Sequence, residues 1–159
     1  MKIALGNDHR GVKAISQVKA IVAQLGHECI YFGSDSDQPV DYPDVAYQAA
    51  KAVSTDSADR AILVCGTGIG MSIAANKVKN VRAALCFDEL NAKISREHND
   101  ANVLCLSGDF LGGPALRKTV ETWLKTGFSG GRHQRRVRKI EAIEKGNDPQ
   151  EVAGDYEGQ

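Results

Sequence analysis

Five short apolar runs constrain this chain more than any other feature: Ile3–Leu5, Cys29–Phe32, Ala61–Val64, Arg82–Phe87 and Val103–Leu106. Between them lie segments whose apolar residues recur every three or four positions, as at Val12, Ile15, Val18, Val22 and Leu25. The short runs read as strands and the periodic segments as helices. Gly26 stands where a helix C-terminal cap belongs. A second helical face follows at Ala46, Ala49, Ala50 and Val53. A short helix runs to Lys77, another ends near His98, one carries Leu116, Val120, Trp123 and Leu124, and the last carries Val137, Ile140 and Ile143. Strands that alternate with helices over short connections pair in parallel, and continuously apolar strands are covered on both faces. The expected fold is therefore α/β: a three-layer α/β/α, Rossmann-like, doubly wound sheet of five parallel strands. Ligands of such sheets bind outside the carboxyl ends of the strands. The turns after strands one and three, which carry Asp8-His9 and Cys65 to Gly70, emerge at that edge.

A length of 159 residues fits one domain. Residues 1–145, including the C-terminal helix, read as that domain. Residues 146–159, with four acids and few apolar groups, read as a loosely ordered tail. Twenty basic side chains balance twenty acidic ones, so no global charge recruits nucleic acid or an anionic membrane. The N-terminal apolar stretch is too short for a signal peptide and no run approaches a membrane span, which predicts a cytoplasmic protein. The four cysteines lack paired or metal-type spacing. Cys29, Cys86 and Cys105 lie inside apolar runs and are expected to be small buried hydrophobes, whereas Cys65 ends its run against glycines.

The stretch Cys65-Gly-Thr-Gly-Ile-Gly70 admits three readings. As a dinucleotide fingerprint its third glycine falls one place early and it does not open the fold, and it lacks the Gly-Lys-Ser/Thr of a Walker loop. As a reactive loop it offers unblocked backbone N–H groups that suit an oxyanion or phosphate. A thiol at such a mouth has its thiolate favoured and serves as nucleophile or base. Cys65 would be that thiol, and Thr67 could supply a hydroxyl. The third reading is a tight strand-to-helix turn with an incidental cysteine.

His98 sits at the predicted carboxyl end of a helix, where the dipole favours imidazolium. His9, His27, His98 and His133 are far apart and lack zinc-type spacing. The loop Asp35-Ser-Asp37 fails the EF-hand pattern at Val40 and Ala46, so no metal is expected. The densest positive run is Gly130-Gly-Arg-His-Gln-Arg-Arg-Val-Arg-Lys139. On a helix Arg132 and Arg136 stack one turn apart and can grip one phosphate, although a solvated basic face has the same composition. The lack of interleaved aromatics argues against nucleic acid.

Taken together, these motifs resemble the type B ribose-5-phosphate isomerase family, which also includes the subunits of galactose-6-phosphate isomerase. The resemblance is carried from Ile3 to about Glu144 by Gly6-x-Asp8-His9-x-Gly11, Asp41-Tyr42-Pro43, Cys65-Gly-Thr-Gly-x-Gly70-x-Ser72-x-Ala-Ala-Asn76-Lys77, Arg82-Ala83, Arg96-x-His98-Asn99-x-x-Asn102-Val103, and Gly130-Gly-Arg132-His133-x-x-Arg136-Val137. It implies isomerisation of a phosphorylated sugar, without metal or cofactor, through a cis-enediolate. Cys65 would be the base, and the backbone of Gly66, Gly68, Ile69 and Gly70 would stabilise the enediolate. Some relatives carry a Glu base where this chain has Ile69, which holds no proton and leaves the role to Cys65. The resemblance assigns ring opening to Thr67 and His98, sugar contacts to Asp8, Tyr42 and Asn99, and phosphate contacts to His9, Arg132 and Arg136. It also implies a homodimer, or a tetramer of dimers, with His98-Asn99 reaching in from the neighbour. The implied substrate is ribose 5-phosphate, in pentose phosphate metabolism. The alternatives are a tetrose 4-phosphate, a hexose 6-phosphate such as allose or galactose 6-phosphate, or a module that binds nucleotide or sugar phosphate without turnover.

One position departs from the pattern. Where the family commonly has an Arg that joins the phosphate site, this chain has Asp109. A carboxylate pointing into the site would weaken phosphate binding by on the order of 2–3 kcal/mol. Either Asp109 turns away, or the substrate sits differently from ribose 5-phosphate.

Overall fold

The structure, a computed structural model, describes residues 1–36 and 38–153. Five strands alternate with six helices: β1 (Lys2–Asn7), α1 (Val12–Gln24), β2 (Glu28–Tyr31), α2 (Tyr42–Ser54), β3 (Arg60–Cys65), α3 (Ile69–Ala75), β4 (Ala83–Leu85), α4 (Glu89–Asn99), β5 (Val103–Ser107), α5 (Gly113–Lys125) and α6 (Arg132–Glu144). The strands form one parallel sheet in the order β2-β1-β3-β5-β4. This is the expected three-layer, doubly wound architecture.

Alternate strand residues feed two cores. Ile3, Leu5, Ile62, Val64, Leu104 and Leu106 pack with α1, α5 and Ala92 of α4, around the fully buried Trp123. Ala4, Ala61, Leu63, Cys65, Val103 and Cys105 face α2 and α3, where Ala46, Ala49 and Ala50 present a smooth surface. Strands with both faces buried have no polar side, which is why they read as continuous apolar runs. After β1 the chain crosses to α1 on one face, and after β3 to α3 on the other. The helices diverge there and leave a crevice at the carboxyl ends of two neighbouring strands.

Two expectations are corrected. Cys29 is exposed, because β2 is an edge strand with partly open faces, whereas Cys86 and Cys105 are buried. Burial pushes the Cys86 thiol up to about 11 and holds that of Cys105 well above the ordinary thiol value. β4 is also shorter than the expected Arg82–Phe87, and at its start the Arg82 N–H donates to the Asn102 side chain at 2.8 Å. Gly26 caps α1 in the left-handed conformation at φ +74°. Beyond α6, Pro149–Glu151 form a 3-10 turn whose Pro149 carbonyl accepts a hydrogen bond from Lys139 Nζ. Residues 154–159 of the expected tail lie outside the described residues. Among the described residues no helix is long and apolar enough to cross a membrane.

Candidate functional site

At the carboxyl edge of the sheet, the β1–α1 turn is drawn onto β3 by a hydrogen bond from Asp8 N to Val64 O, 3.2 Å. Asp8 is almost fully buried, and its Oδ1 accepts from the backbone N–H groups of Arg10 (2.9 Å) and Gly11 (3.2 Å). The carboxylate is thereby oriented, and among the described residues its Oδ2 has no donor. Beneath it, buried Asn7 donates to the carbonyls of Asp8 and Ser34 and accepts from the Tyr31 hydroxyl at 2.9 Å. Burial and the nearby Asp35 push the Tyr31 phenol up to about 12, so it remains a donor at any physiological pH. His9 Nδ1 accepts from Val40 N at 3.3 Å, which places the proton of the neutral ring on Nε2.

Across the crevice, Cys65 closes β3 with only 4% of its surface exposed. Its Sγ accepts the Gly68 N–H at 3.1 Å, and Thr67 Oγ1 accepts the Ile69 N–H at 3.3 Å. Gly68 has φ +77°, and a Cβ there would lie 2.9 Å from the Leu106 carbonyl carbon. A side chain at this position is therefore both strained and obstructed. The loop carbonyls are bound from the β5 side: Gly108 N donates to Cys65 O, and both Asp109 N and Ser107 Oγ donate to Gly66 O. The Tyr42 ring, at the start of α2, lies against Gly70. Asp8, His9, Tyr42, Cys65, Thr67 and the backbone of Gly66, Gly68, Ile69 and Gly70 thus gather around one crevice. Ile69 itself is half exposed and carries no titratable group.

The remaining predicted residues lie elsewhere. His98 and Asn99 end α4, just before β5 begins, whereas Cys65 pairs in register with Ser107 at the far end of β5. The length of β3 separates the two edges, roughly 16 Å at the rise of an extended strand. Arg132 and Arg136 belong to α6 and go with the His98 edge, where the His98 and His133 rings stack at 4.0 Å with 6° between planes. His133 is buried, and its Nδ1 has no hydrogen-bond partner among the described residues. Burial holds its pKa below the ordinary imidazole value, and His98, Arg132 and Arg136 add to the effect against an opposing Glu97.

Three arginines brace this corner by taking up carbonyls that helix ends leave without partners. Arg60 donates to the Trp123 and Leu124 carbonyls, Arg96 to those of Thr126 and Ala101, and Arg82 to those of Asn99 and Asp100. Burial lowers the pKa of Arg60 to about 10 and also lowers that of Arg96. Beside Asn99, between β4 and α6, lies a cavity of about 410 Å³ lined in part by Arg82, Ala84, Ile140 and Ile143. It belongs to the His98 edge and not to Cys65. Among the described residues no three His, Cys, Asp or Glu side chains are grouped to hold a metal ion.

Sequence reasoning missed two contacts. Arg10 donates to Asp109 from Nη2 (2.7 Å) and Nε (3.2 Å). His133 appeared only as part of a motif and emerges as the ring that supports His98. The proximity of Arg10 to Asp8-His9 was visible, but a partner 99 residues away was not.

Residues 3–140 match the family model described as Ribose/Galactose Isomerase. Ribose-5-phosphate isomerase B of Escherichia coli K12 is 43% identical over 143 residues, covering 90% of this chain and 96% of the relative. The structure of ribose-5-phosphate isomerase B from Clostridium thermocellum superposes with a TM-score of 0.90 at 46% identity, covering 92% of this chain and 99% of that one. That of Mycoplasma genitalium ribose-5-phosphate isomerase B with bound ribulose 5-phosphate has a TM-score of 0.87 at 41% identity, covering 91% and 96%.

Proposed function

Because the chain belongs to the Ribose/Galactose Isomerase family, we propose that it interconverts D-ribose 5-phosphate and D-ribulose 5-phosphate without a metal or other cofactor. Cys65 is the base that moves a proton between carbons 2 and 1. The amides of Gly66 to Gly70 receive the charge of the cis-enediolate. Donors fixed in advance act where charge develops. Thr67 and His98 open the furanose ring, and Asp8, Tyr42 and Asn99 hold the sugar. His9 Nε2, Arg132 and Arg136 take the phosphate, the guanidinium pair giving it a fixed address remote from the reacting carbons.

The observation that carries this reading is the division of the residues between two opposite edges of one sheet. A complete site needs the His98 edge of a second copy against the Cys65 edge of the first, which a two-fold dimer supplies twice. Exposed Ile69, Ile73 and Phe87, and Ile140 and Ile143 near the Asn99 cavity, give such an interface apolar surface. Residues 1–145 act as the isomerase domain of a cytoplasmic homodimer, or a tetramer of dimers, in pentose phosphate metabolism. The 146–159 tail takes no part in catalysis.

The test is conversion of ribose 5-phosphate by purified protein in the presence of a metal chelator. Rapid turnover supports the reading. Loss of turnover on chelation overturns the metal-free mechanism. Asp109 favours one second reading, in which the same chemistry serves a tetrose 4-phosphate or a hexose 6-phosphate such as allose or galactose 6-phosphate. A panel of these sugars, run beside ribose 5-phosphate, decides between them. A non-catalytic binding module would instead be stabilised by ligand even as Cys65→Ala, with no proton exchange at carbon 2.

A further inference from the structure

Arg10 and Asp109 meet over the glycine loop from two different connections. Arg10 follows Asp8 and His9 on the β1–α1 turn, and Asp109 follows Ser107 and Gly108 at the end of β5. Both are anchored by their own backbones, Arg10 N to Asp8 Oδ1 and Asp109 N to Gly66 O. The loop lies directly beneath the pair: a Cβ added at Gly66 would sit 2.8 Å from Arg10 Nε and 3.0 Å from Asp109 Oδ2. A guanidinium is therefore held beside the residue that follows Cys65.

How it is held matters. Nε and Nη2 both donate to the single oxygen Oδ2, so one edge of the guanidinium is committed to Asp109. Its outer edge, formed by Nη1 and the second Nη2 proton, has no partner among the described residues, and the side chain is 60% exposed. A guanidinium carries five donors in a rigid fork that fits two phosphate oxygens, so a carboxylate behind one edge orients the other. Arg132 and Arg136 lie at the opposite edge of the sheet, which leaves Arg10 as the guanidinium this chain presents beside its own Cys65.

We infer that Arg10 is a substrate-positioning residue: the outer edge of its guanidinium grips the phosphate of the sugar phosphate, and Asp109 sets that edge in place. The inference rests on the isomerase reading above. It also accounts for an acid at position 109, because the carboxylate is turned onto Arg10 and serves the phosphate indirectly. The pair is neutral as a whole, so its contribution is directional hydrogen bonding more than bulk charge. An acid without its arginine would repel the same phosphate, and this fixes the sign of the test.

Steady-state kinetics with ribose 5-phosphate should show KM raised about tenfold in Arg10→Ala, with kcat affected less. Arg10→Lys, which keeps the charge but loses the fork, should recover only part of that loss. Adding Asp109→Ala to Arg10→Ala should bring KM back down, because the uncompensated carboxylate is gone. An Arg10→Ala enzyme with the wild-type KM, or a double variant worse than the single one, overturns the inference. Thermal unfolding with and without inorganic phosphate supplies a readout free of turnover. Phosphate should raise the Tm of the wild type more than that of Arg10→Ala, whichever sugar proves to be the substrate. Equal protection of both proteins overturns the inference, whereas an inactive wild type that phosphate protects in this unequal way overturns only the choice of sugar.

Discussion

The two edges of the sheet are built by opposite means. At the Cys65 edge the backbone does most of the work: Gly68 turns left-handed, its N–H holds the sulfur, and the loop carbonyls are bound from β5. At the His98 edge side chains do it, with three arginines on the carbonyls of α4, α5 and the residues after them, and one imidazole stacked on another. Backbone amides suit a charge that appears only during the reaction, since they are fixed before it forms. Long cationic side chains suit a charge that is always present, such as a phosphate. The Cys65 edge adds one guanidinium, that of Arg10, to its amides, whereas Arg132 and Arg136 lie with the His98 edge; on the proposed reading each edge is half of a site.

The sharpest way to break this comparison is complementation. Cys65→Ala and His98→Ala should each reduce turnover, the former by about a thousandfold, with little change in thermal stability. Mixed after dissociation and reassociation, the two variants should recover about a quarter of wild-type activity, since half the dimers then carry one intact site of two. No recovery from well-mixed dimers would place both residues in a site built by a single chain.

A smaller effect sharpens the division of labour. Arg136→Ala should raise KM by about tenfold to a hundredfold, as expected for one charge-assisted hydrogen bond, with kcat changed far less. A kcat loss equal to that of Cys65→Ala would move Arg136 from the phosphate to the reacting carbons.

The smallest effect is a pH dependence confined to the His98 edge. The folded pKa of His133 is held below the ordinary 6.5, so between those two values the unfolded chain binds a proton that the folded chain refuses. His133 faces His98 and Glu97 of α4 and lies beside Arg132 and Arg136 of its own helix, with Glu97 the group that opposes the shift. The stability contribution is complete above about pH 6.5 and is lost as pH falls toward the lowered value. Between about pH 8 and about pH 5, Tm should fall more in the wild type than in His133→Asn. Parallel curves would remove His133 as the titrating group.

Much of the Cys65 edge was legible in the sequence, because its residues are local. Asp8 and His9 sit within two residues of the end of β1, and Cys65 to Gly70 form one continuous turn. The alternation of strands and helices already sent both turns to the same edge. Cys29 was misjudged because its apolar run says nothing about position in the sheet, and an edge strand leaves such a run partly open. The Arg10–Asp109 contact was out of reach for a related reason. Neither residue has a local signature, and their meeting depends on the β1 and β5 connections arriving over the same loop.

By itself the sequence determined the class of fold and the number and direction of the strands, and it nominated the candidate residues of the Cys65 turn. These follow from periodicities and turn residues that act over a few positions. Only the tertiary structure decided the strand order β2-β1-β3-β5-β4, the division of the chemical residues between two edges, and the turning of Asp109 onto Arg10. Those depend on contacts between residues far apart in the chain. Such contacts are set by packing two cores on one twisted sheet, and no local pattern encodes them.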